Sequence, residues 1–566
     1  LRSTSTKEGL VFLTFRRHVE QLLAQALEKC QYPSGDVALT AKPGYADLTS
    51  IIAFKLAPVL SLKPQEIAQN VTGYLGTDEL IARAETAGPY INFFVSNDYL
   101  RHTLSTVLQA DRDYGDIGAN GVVILEHTSA NPNGPLHIGH IRNSVIGDTL
   151  KRCLQQAGYH VETQYYVNDM GRQVALVVWG IMNFTLTEGR KSDHATADIY
   201  VKANADMELH PTKLVEVRQL MQRFESGDQD VEVLFKDAVE FCLRGINETL
   251  KNLHVAHDRF VWESEFLDDI DGIIAELRSY GVTERDGSAH VDLSPFGISK
   301  NLVVRRSDGT SVYATRDIAY HVWKAGRCNR MIDVLGADHR LTALQVGKVL
   351  ELLSIKAPEV VFFEFVSLPE GSMSTRRGHF ISADEVLDKV TEKAYEEVDK
   401  RRPTLSEEEK REIAQAVGIG ATRYDMLRVS ADKSMVFDWN EALDFERQGG
   451  PFLQYAHARA TSILTKTTFD NEYEPDLLID EYEVKLMKLC ALFPAVIEDV
   501  TANFNVSALA AYARELAEAF NQFYRFMPVL SAEPAMSRAR LALVMCARIV
   551  LRNVLNCLGI EPVDSM

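Results

Sequence analysis

The chain has 566 residues, 46% of them hydrophobic and 25% charged, with a formal net charge of -19. That length exceeds what one core supports, so three or four domains are expected, and the ordinary composition excludes a small binding module, a disordered tail or a fibrous repeat. The acidic balance runs against a nucleic-acid partner unless basic residues are gathered locally, because phosphate binding leaves a basic footprint.

The stretch Leu1 to Lys7 is polar rather than signal-like. No apolar run approaches the roughly 20 residues of a bilayer span, so a cytoplasmic protein with no membrane contact is expected. The cysteines, Cys30, Cys153, Cys242, Cys328, Cys490, Cys546 and Cys557, show no CxxC pair and no zinc-finger spacing. They predict reduced, packed thiols and no structural zinc or other metal site.

Residues 1 to 113 open with an apolar-periodic helix, Val11 to Cys30, and end in the strand-like run Tyr90 to Val95, which predicts a small α+β module. Val122-Val123-Ile124-Leu125 then reads as a strand buried on both faces. It is followed by the turn-rich loop Thr128 to Pro135, a helix from about His137 to Ala157 closed by Gly158, a strand over Val161 to Val167 and a helix over Met170 to Phe184. This βαβ pattern predicts an α/β fold with a Rossmann-like, doubly wound parallel sheet whose ligand lies at the carboxyl ends of the strands. Residues from about 185 to 290 are more helical and polar and read as an insertion, after which Leu302 to Val304, Met331 to Leu335 and Val360 to Phe363 resume the sheet. The α/β domain so defined runs from 114 to 406. From 407 to 566 the pattern is an α-helical bundle, with Leu543, Ala547, Val550, Val554 and Cys557 on one face of its last helix and Gly559 as a stop.

The strongest chemical signal is His137-Ile138-Gly139-His140 at the start of a helix that follows a strand and loop. A helix N-terminus favours phosphate, two histidines three apart share its first turn as donors, and Gly139 leaves room for a flat base. This equips the site for ATP without a Walker loop. A pair of surface histidines is the plainer alternative for the tetrapeptide alone.

The longer run Glu126 to Asn143 resembles the signature of class I aminoacyl-tRNA synthetases for arginine. Tyr166 to Gln173, Tyr313-Ala314-Thr315-Arg316-Asp317, Leu335-Gly336-Ala337-Asp338-His339 and Gln454 to Arg459 resemble the same family and keep its order. The resemblance implies ATP with Mg²⁺, L-arginine and tRNA as ligands. It puts Glu126 and Asn131 at the substrate's ammonium end, Tyr313 and Asp317 on its guanidinium, and Asp169, Gln173, His137 and His339 in the same pocket. ATP would lie against His137, Gly139, His140, Gly336, Asp338 and His339. Carboxylates and neutral acceptors are the groups a guanidinium requires; read alone, Asp317 is equally a first-turn carboxylate and Tyr313 a strand-end aromatic.

The class also uses a loop of pattern KMSKS, matched here by Ser372-Met373-Ser374-Thr375-Arg376-Arg377-Gly378. Both lysines are replaced, and Gly134 stands where many relatives have lysine. Met373 and Ser374 keep the ATP side of the pattern. The catalytic cation then falls to Arg376 or Arg377, with Arg172 behind them, unless these are turn-flanking surface arginines. For tRNA, the family implies an N-terminal module on the elbow and a C-terminal bundle reading the anticodon, where Tyr455, His457 and Arg459 suit stacking and phosphate contact. A monomer is expected. Two other readings compete: an inactive RNA-binding relative, opposed by the intact acids and histidines, and a nucleotidyl transferase with a small acceptor, which leaves the helical C-terminal region unexplained.

Overall fold

The computed structural model of the chain describes residues 11–42, 46–307, 312–369, 381–445, 449–468 and 472–565. At its centre is an all-parallel sheet of β1 (Val122–Glu126), β2 (His160–Val167), β3 (Arg259–Trp262), β4 (Arg330–Gly336) and β5 (Glu359–Phe363), lying side by side in the order β5-β4-β1-β2-β3. The chain builds outward from β1 to β3 and then crosses back to β4. The loops leaving β1 and β4 therefore diverge and open a crevice at the carboxyl ends. Register sets Asp333 of β4 beside Glu126, the last residue of β1. Val123, Ile124 and Leu125 are buried, as a strand covered on both faces requires.

In the central region two elements differ from expectation. The stretch read as a helical insertion does contain the helices Ser192–Leu209, Leu214–Glu225 and Gln229–Asn252, but it also holds β3, a four-residue strand paired with β2 and too short for periodicity to expose. Leu302–Arg305, expected in the central sheet, instead pairs antiparallel with Ser288–Val291 in a separate three-stranded sheet.

Before the sheet, helix Val11–Lys29 accompanies a four-stranded antiparallel sheet of Leu39–Lys42, Ala46–Ser50, Ile81–Ala87 and Tyr90–Val95. After it, helices from Glu407–Arg428 to Pro534–Leu558 form the C-terminal bundle. Ala383–Arg401, expected on the other side of a boundary at 407, packs along Glu407–Arg428. Met435–Val436 interrupts the helices with a short strand parallel to Val366–Ser367. The last helix is long and apolar enough to cross a bilayer, contrary to expectation, but it is mostly buried in the protein. Leu543, Ala547, Val550, Val554 and Cys557 are all within its buried face.

His127, just past β1, packs at a tilt against His257, just before β3, with centroids 4.2 Å apart. Burial holds both imidazoles low, His257 at about 4 against an ordinary 6.5. Unfolded chains take up that proton as pH falls through 6.5 while the fold resists it to about 4. Stability is thus complete above this window and is lost as pH falls through it, by about 3 kcal/mol for a shift of this size. His257→Phe, which keeps the edge contact with Tyr165, is expected to flatten the decline of the thermal midpoint between pH 6.5 and 4.5; an unchanged slope excludes His257 as the source.

Candidate active site

The motif helix, Ile138–Ala157, begins at the crevice with His137 as its N-cap. His137 Nδ1 accepts from the N–H of Gly139 at 3.1 Å and of His140 at 3.4 Å, and His140 Nδ1 accepts from the N–H of His137 at 3.2 Å. This reciprocal cap satisfies donors that a helix start leaves open. The rings stack with centroids 3.7 Å apart. An accepting Nδ1 puts the ring proton on Nε2, and burial lowers both imidazoles, His140 strongly. The pair is therefore two neutral N–H donors on a positive helix end, not two charges. On the side where a Cβ at Gly139 would project stands the His137 ring, whose Cε1 would be 2.9 Å away.

Carboxylates ring the mouths of β1, β2 and β3. Glu126 is buried, accepting from Ser129 Oγ at 3.1 Å and from Lys324 Nζ at 3.2 Å. Asp169 is buried beyond β2, where its Oδ1 accepts from the Ser264 N–H at 3.0 Å, and burial raises its carboxyl. Tyr313 and Asp317 lie on the first two turns of helix Tyr313–Ala325, so the expected neighbours do share a helix. Tyr313 is half exposed above Gly171. Asn131 is exposed and donates to Gln173 Oε1 at 2.9 Å.

Sequence reasoning missed Glu263, at the end of β3. It is buried, paired with Arg316 Nε at 2.8 Å, and pushed up to about 7 because burial outweighs that pairing. With its side-chain amide turned so that the nitrogen faces β3, Asn168 donates to Glu263 Oε2 at 2.9 Å and to the Met170 carbonyl at 2.7 Å. The signal available was Trp262-Glu263-Ser264, an acid at the end of a short apolar run.

Gly336, Asp338 and His339 lie at the carboxyl end of β4, the last two exposed in a single turn. Met373, Ser374, Arg376 and Arg377 lie outside the described residues. On the far side of that gap, Ser382 bridges to His137, and the Ala383 N–H donates to the Leu136 carbonyl at 2.7 Å. Ser382 and Ala383 thus abut the histidine motif.

In the bundle, Tyr455 is exposed, and the Arg459 guanidinium lies between it and Tyr524, 4.4 and 4.6 Å from the ring centroids. These side chains, with Arg401, Arg402 and Arg525, line a cavity of about 860 Å³. His457 does not join them. It is buried on another face, its Nδ1 3.0 Å from the Val563 carbonyl, because a helix turns residues two apart away from each other.

A parallel sheet with this reversal and a histidine-capped helix at its mouth defines a class I tRNA synthetase, and the family model "tRNA synthetases class I (R), catalytic domain" matches residues 103–439. Models for the arginyl tRNA synthetase N terminal domain and the DALR anticodon binding domain match residues 17–95 and 453–566. The chain belongs to the arginyl-tRNA synthetase family. It is 49% identical over 569 residues to an arginine–tRNA ligase of Methanosarcina mazei, covering 98% of this chain and all of that one, and 45% identical over 558 residues to that of Archaeoglobus fulgidus, at the same coverage. The solved arginyl-tRNA synthetase of Thermus thermophilus superposes with a TM-score of 0.86 at 28% identity, over 97% of this chain and 100% of that one.

Gly139→Ala tests the cap. The methyl group is expected to push the His137 ring off its seat and lower amino-acid-dependent pyrophosphate exchange by about 100-fold, the cost of a displacement near 1 Å. The thermal midpoint should stay near that of the parent. Full activity means the ring's seat is not used.

Proposed function

We propose that the chain is an arginine–tRNA ligase, which activates L-arginine with ATP to arginyl-adenylate and pyrophosphate and then transfers arginine to the 3′ end of its tRNA for protein synthesis. The observation that carries this reading is the gathering of Glu126, Asp169, Glu263 and Asp317 at one end of the parallel sheet, beside a helix start that offers N–H donors. Acids at one end and donors at the other suit a substrate that is cationic along its side chain and reacts at its carboxylate with a phosphate.

In this reading Glu126 and Asn131 hold the ammonium, and Tyr313 and Asp317 the guanidinium. Asp169, Gln173 and Glu263 complete the pocket, with His339 at its edge. ATP lies along His137, His140, Gly336, Asp338 and His339, while Gly139 leaves His137 its seat; Mg²⁺ enters with the nucleotide. The arginine carboxylate attacks the α-phosphate and pyrophosphate leaves. The terminal ribose hydroxyl of tRNA then attacks the adenylate carbonyl, releasing AMP. Positioning and charge stabilisation carry both steps. Because the histidines are neutral donors, positive charge for the departing pyrophosphate falls to Arg376 and Arg377, in the loop with Met373 and Ser374.

Among the described residues two clusters have metal-ligand spacing, Glu126-His321-Asp333 and Asp193-His194-Asp384, and each already holds a lysine ammonium, Lys324 and Lys191, which favours an enzyme with no structural zinc. The cavity of Tyr455, Arg459 and Tyr524 suits an unstacked anticodon base, with Arg401, Arg402 and Arg525 for its phosphates. The module ahead of the sheet contacts the tRNA elbow. We place the enzyme in the cytoplasm, as a monomer away from membranes.

Arginine-dependent exchange of pyrophosphate into ATP, run with and without tRNA, tests the reading; no exchange with arginine under either condition overturns it. Asp317→Asn is expected to raise the KM for arginine roughly 100-fold with the KM for ATP unchanged. Arg376→Ala and Arg377→Ala should lower kcat instead. Arg459→Ala should raise the KM for tRNA about 10-fold while leaving exchange intact, on the scale of one lost stacking contact; an unchanged tRNA KM removes the cavity from the interface.

A further inference from the structure

Behind the acids that line the crevice lies a second layer of buried charge. Asp333, on β4, has both carboxylate oxygens engaged: Oδ1 accepts from Lys324 Nζ at 2.8 Å and Oδ2 from His321 Nε2 at 2.8 Å. Lys324 continues to Glu126 Oε2 at 3.2 Å, and its ammonium lies 4.1 Å from the centroid of the Tyr320 ring. His321 continues the other way: its Nδ1 is 2.7 Å from the Asp317 carbonyl oxygen and 3.1 Å from Asp317 Oδ1. Lys324 is fully buried, and Asp333 and His321 nearly so.

The geometry fixes the protonation of His321. Both ring nitrogens face oxygens that only accept, so each carries a proton and the ring is an imidazolium. Burial opposes that charge, as does Lys324, yet Asp333 and Asp317 outweigh both and hold His321 up at about 10. Lys324 is likewise held above its ordinary value by Asp333 and Glu126 against burial. Asp333 is held well below the carboxylate range by the two cations. An ammonium and an imidazolium on one helix, five acceptor contacts between them and a shared carboxylate make a costly arrangement to bury, since each ion gives up several kcal/mol of solvation. Packing alone would be served as well by apolar groups of the same size.

We propose that His321 and Lys324 are positioning residues for the amino-acid pocket: through Asp333 they form one rigid ionic bar, whose histidine end orients Asp317 and whose lysine end orients Glu126. The inference rests on the arginine reading above, in which Asp317 takes the guanidinium and Glu126 the ammonium. The two ends of the substrate are then read by acids fixed to a common carboxylate, at a spacing set by one turn of helix Tyr313–Ala325 and the β1–β4 register. Substrate length is measured against that spacing, and neither cation touches substrate.

The test compares the two ends separately, in the full chain with tRNA present. His321→Gln keeps an amide in the ring's place without the charge; Lys324→Met keeps the stem. Each is measured for the KM of arginine and of ATP, for kcat, and for competitive inhibition by δ-guanidinovalerate, which is arginine without its ammonium. His321→Gln is expected to weaken arginine and δ-guanidinovalerate alike, by about 10-fold, and Lys324→Met to weaken arginine by about 10-fold and leave the inhibitor within about twofold, as a misplaced pocket group would. The KM for ATP should not move in either. Wild-type arginine KM in His321→Gln overturns the proposal, as does an equal loss of arginine and ATP affinity with a lowered thermal midpoint, which is the mark of general damage. Should Lys324→Met fail to fold, His321→Gln alone decides. Absence of arginine-dependent exchange in the parent protein would be the failure of the underlying reading instead, and inhibition by the guanidino acid in the parent separates the two.

Discussion

One buried guanidinium joins the three regions on which the site depends. Arg423, fully buried, donates to Asp148 Oδ2 of the motif helix at 2.6 Å, to the Leu253 carbonyl at the end of the helical insertion at 2.7 Å, and to the Leu558 carbonyl at the end of the last helix at 2.8 Å. Removing it would leave a buried carboxylate and two carbonyls short of a donor, the costly half of a buried ion pair. Gly559 follows for the same reason: a Cβ there would lie 2.1 Å from Arg423 Nη2, and its φ of +67° is one that favours glycine. Arg142, one turn into the motif helix, does similar work toward the gap at 370–380. It donates to the Glu364 and Lys433 carbonyls at 2.8 Å and to that of Ser430 at 3.0 Å. The motif helix is thus held in part from the bundle, so the C-terminal region braces the parallel-sheet domain.

The placement of charge follows from the capping chemistry. A helix start whose own histidines close its backbone donors has spent both Nδ1 atoms, and burial keeps the rings neutral. What is left for a polyphosphate is the dipole end and two Nε2 donors, which orient but supply no full charge. A site so built needs cations from elsewhere, and this gives the arginine pair after Ser374 its interest. The same economy holds in the acidic chain as a whole: at the bundle cavity several arginines gather beside aromatic rings despite the net charge of -19, the local basic footprint that the proposed RNA contact requires.

Much of this was legible in the residues. The buried β1 run, the turn-rich loop, the motif helix with its Gly158 stop and the helical end all rest on local patterns that tertiary context did not override. The misses share a cause. β3 and the strand at Leu302 are four residues each, too short to carry a period, and which sheet a short strand joins is decided by partners distant in sequence. Glu263 was missed because its meaning depends on that pairing. His457 was misread because the QYAHAR run is recognisable as a string, whereas the helix turns its middle member into the core.

The charge count around the crevice explains why the deeper ions sit where they do. Glu126, Asp317 and Asp333 are three carboxylates facing two cations, Lys324 and His321, so the layer carries one negative charge in excess. A pocket of bare acids that close would neutralise itself by taking up protons, since like charges raise one another's pKa. The imidazolium and the ammonium hold Asp333 well below the carboxylate range and pull against the burial that raises Glu126, leaving a deficit that a cationic ligand fills. An uncharged isostere of the same shape would leave that deficit buried, so discrimination would come from the penalty on the wrong ligand as much as from contacts with the right one.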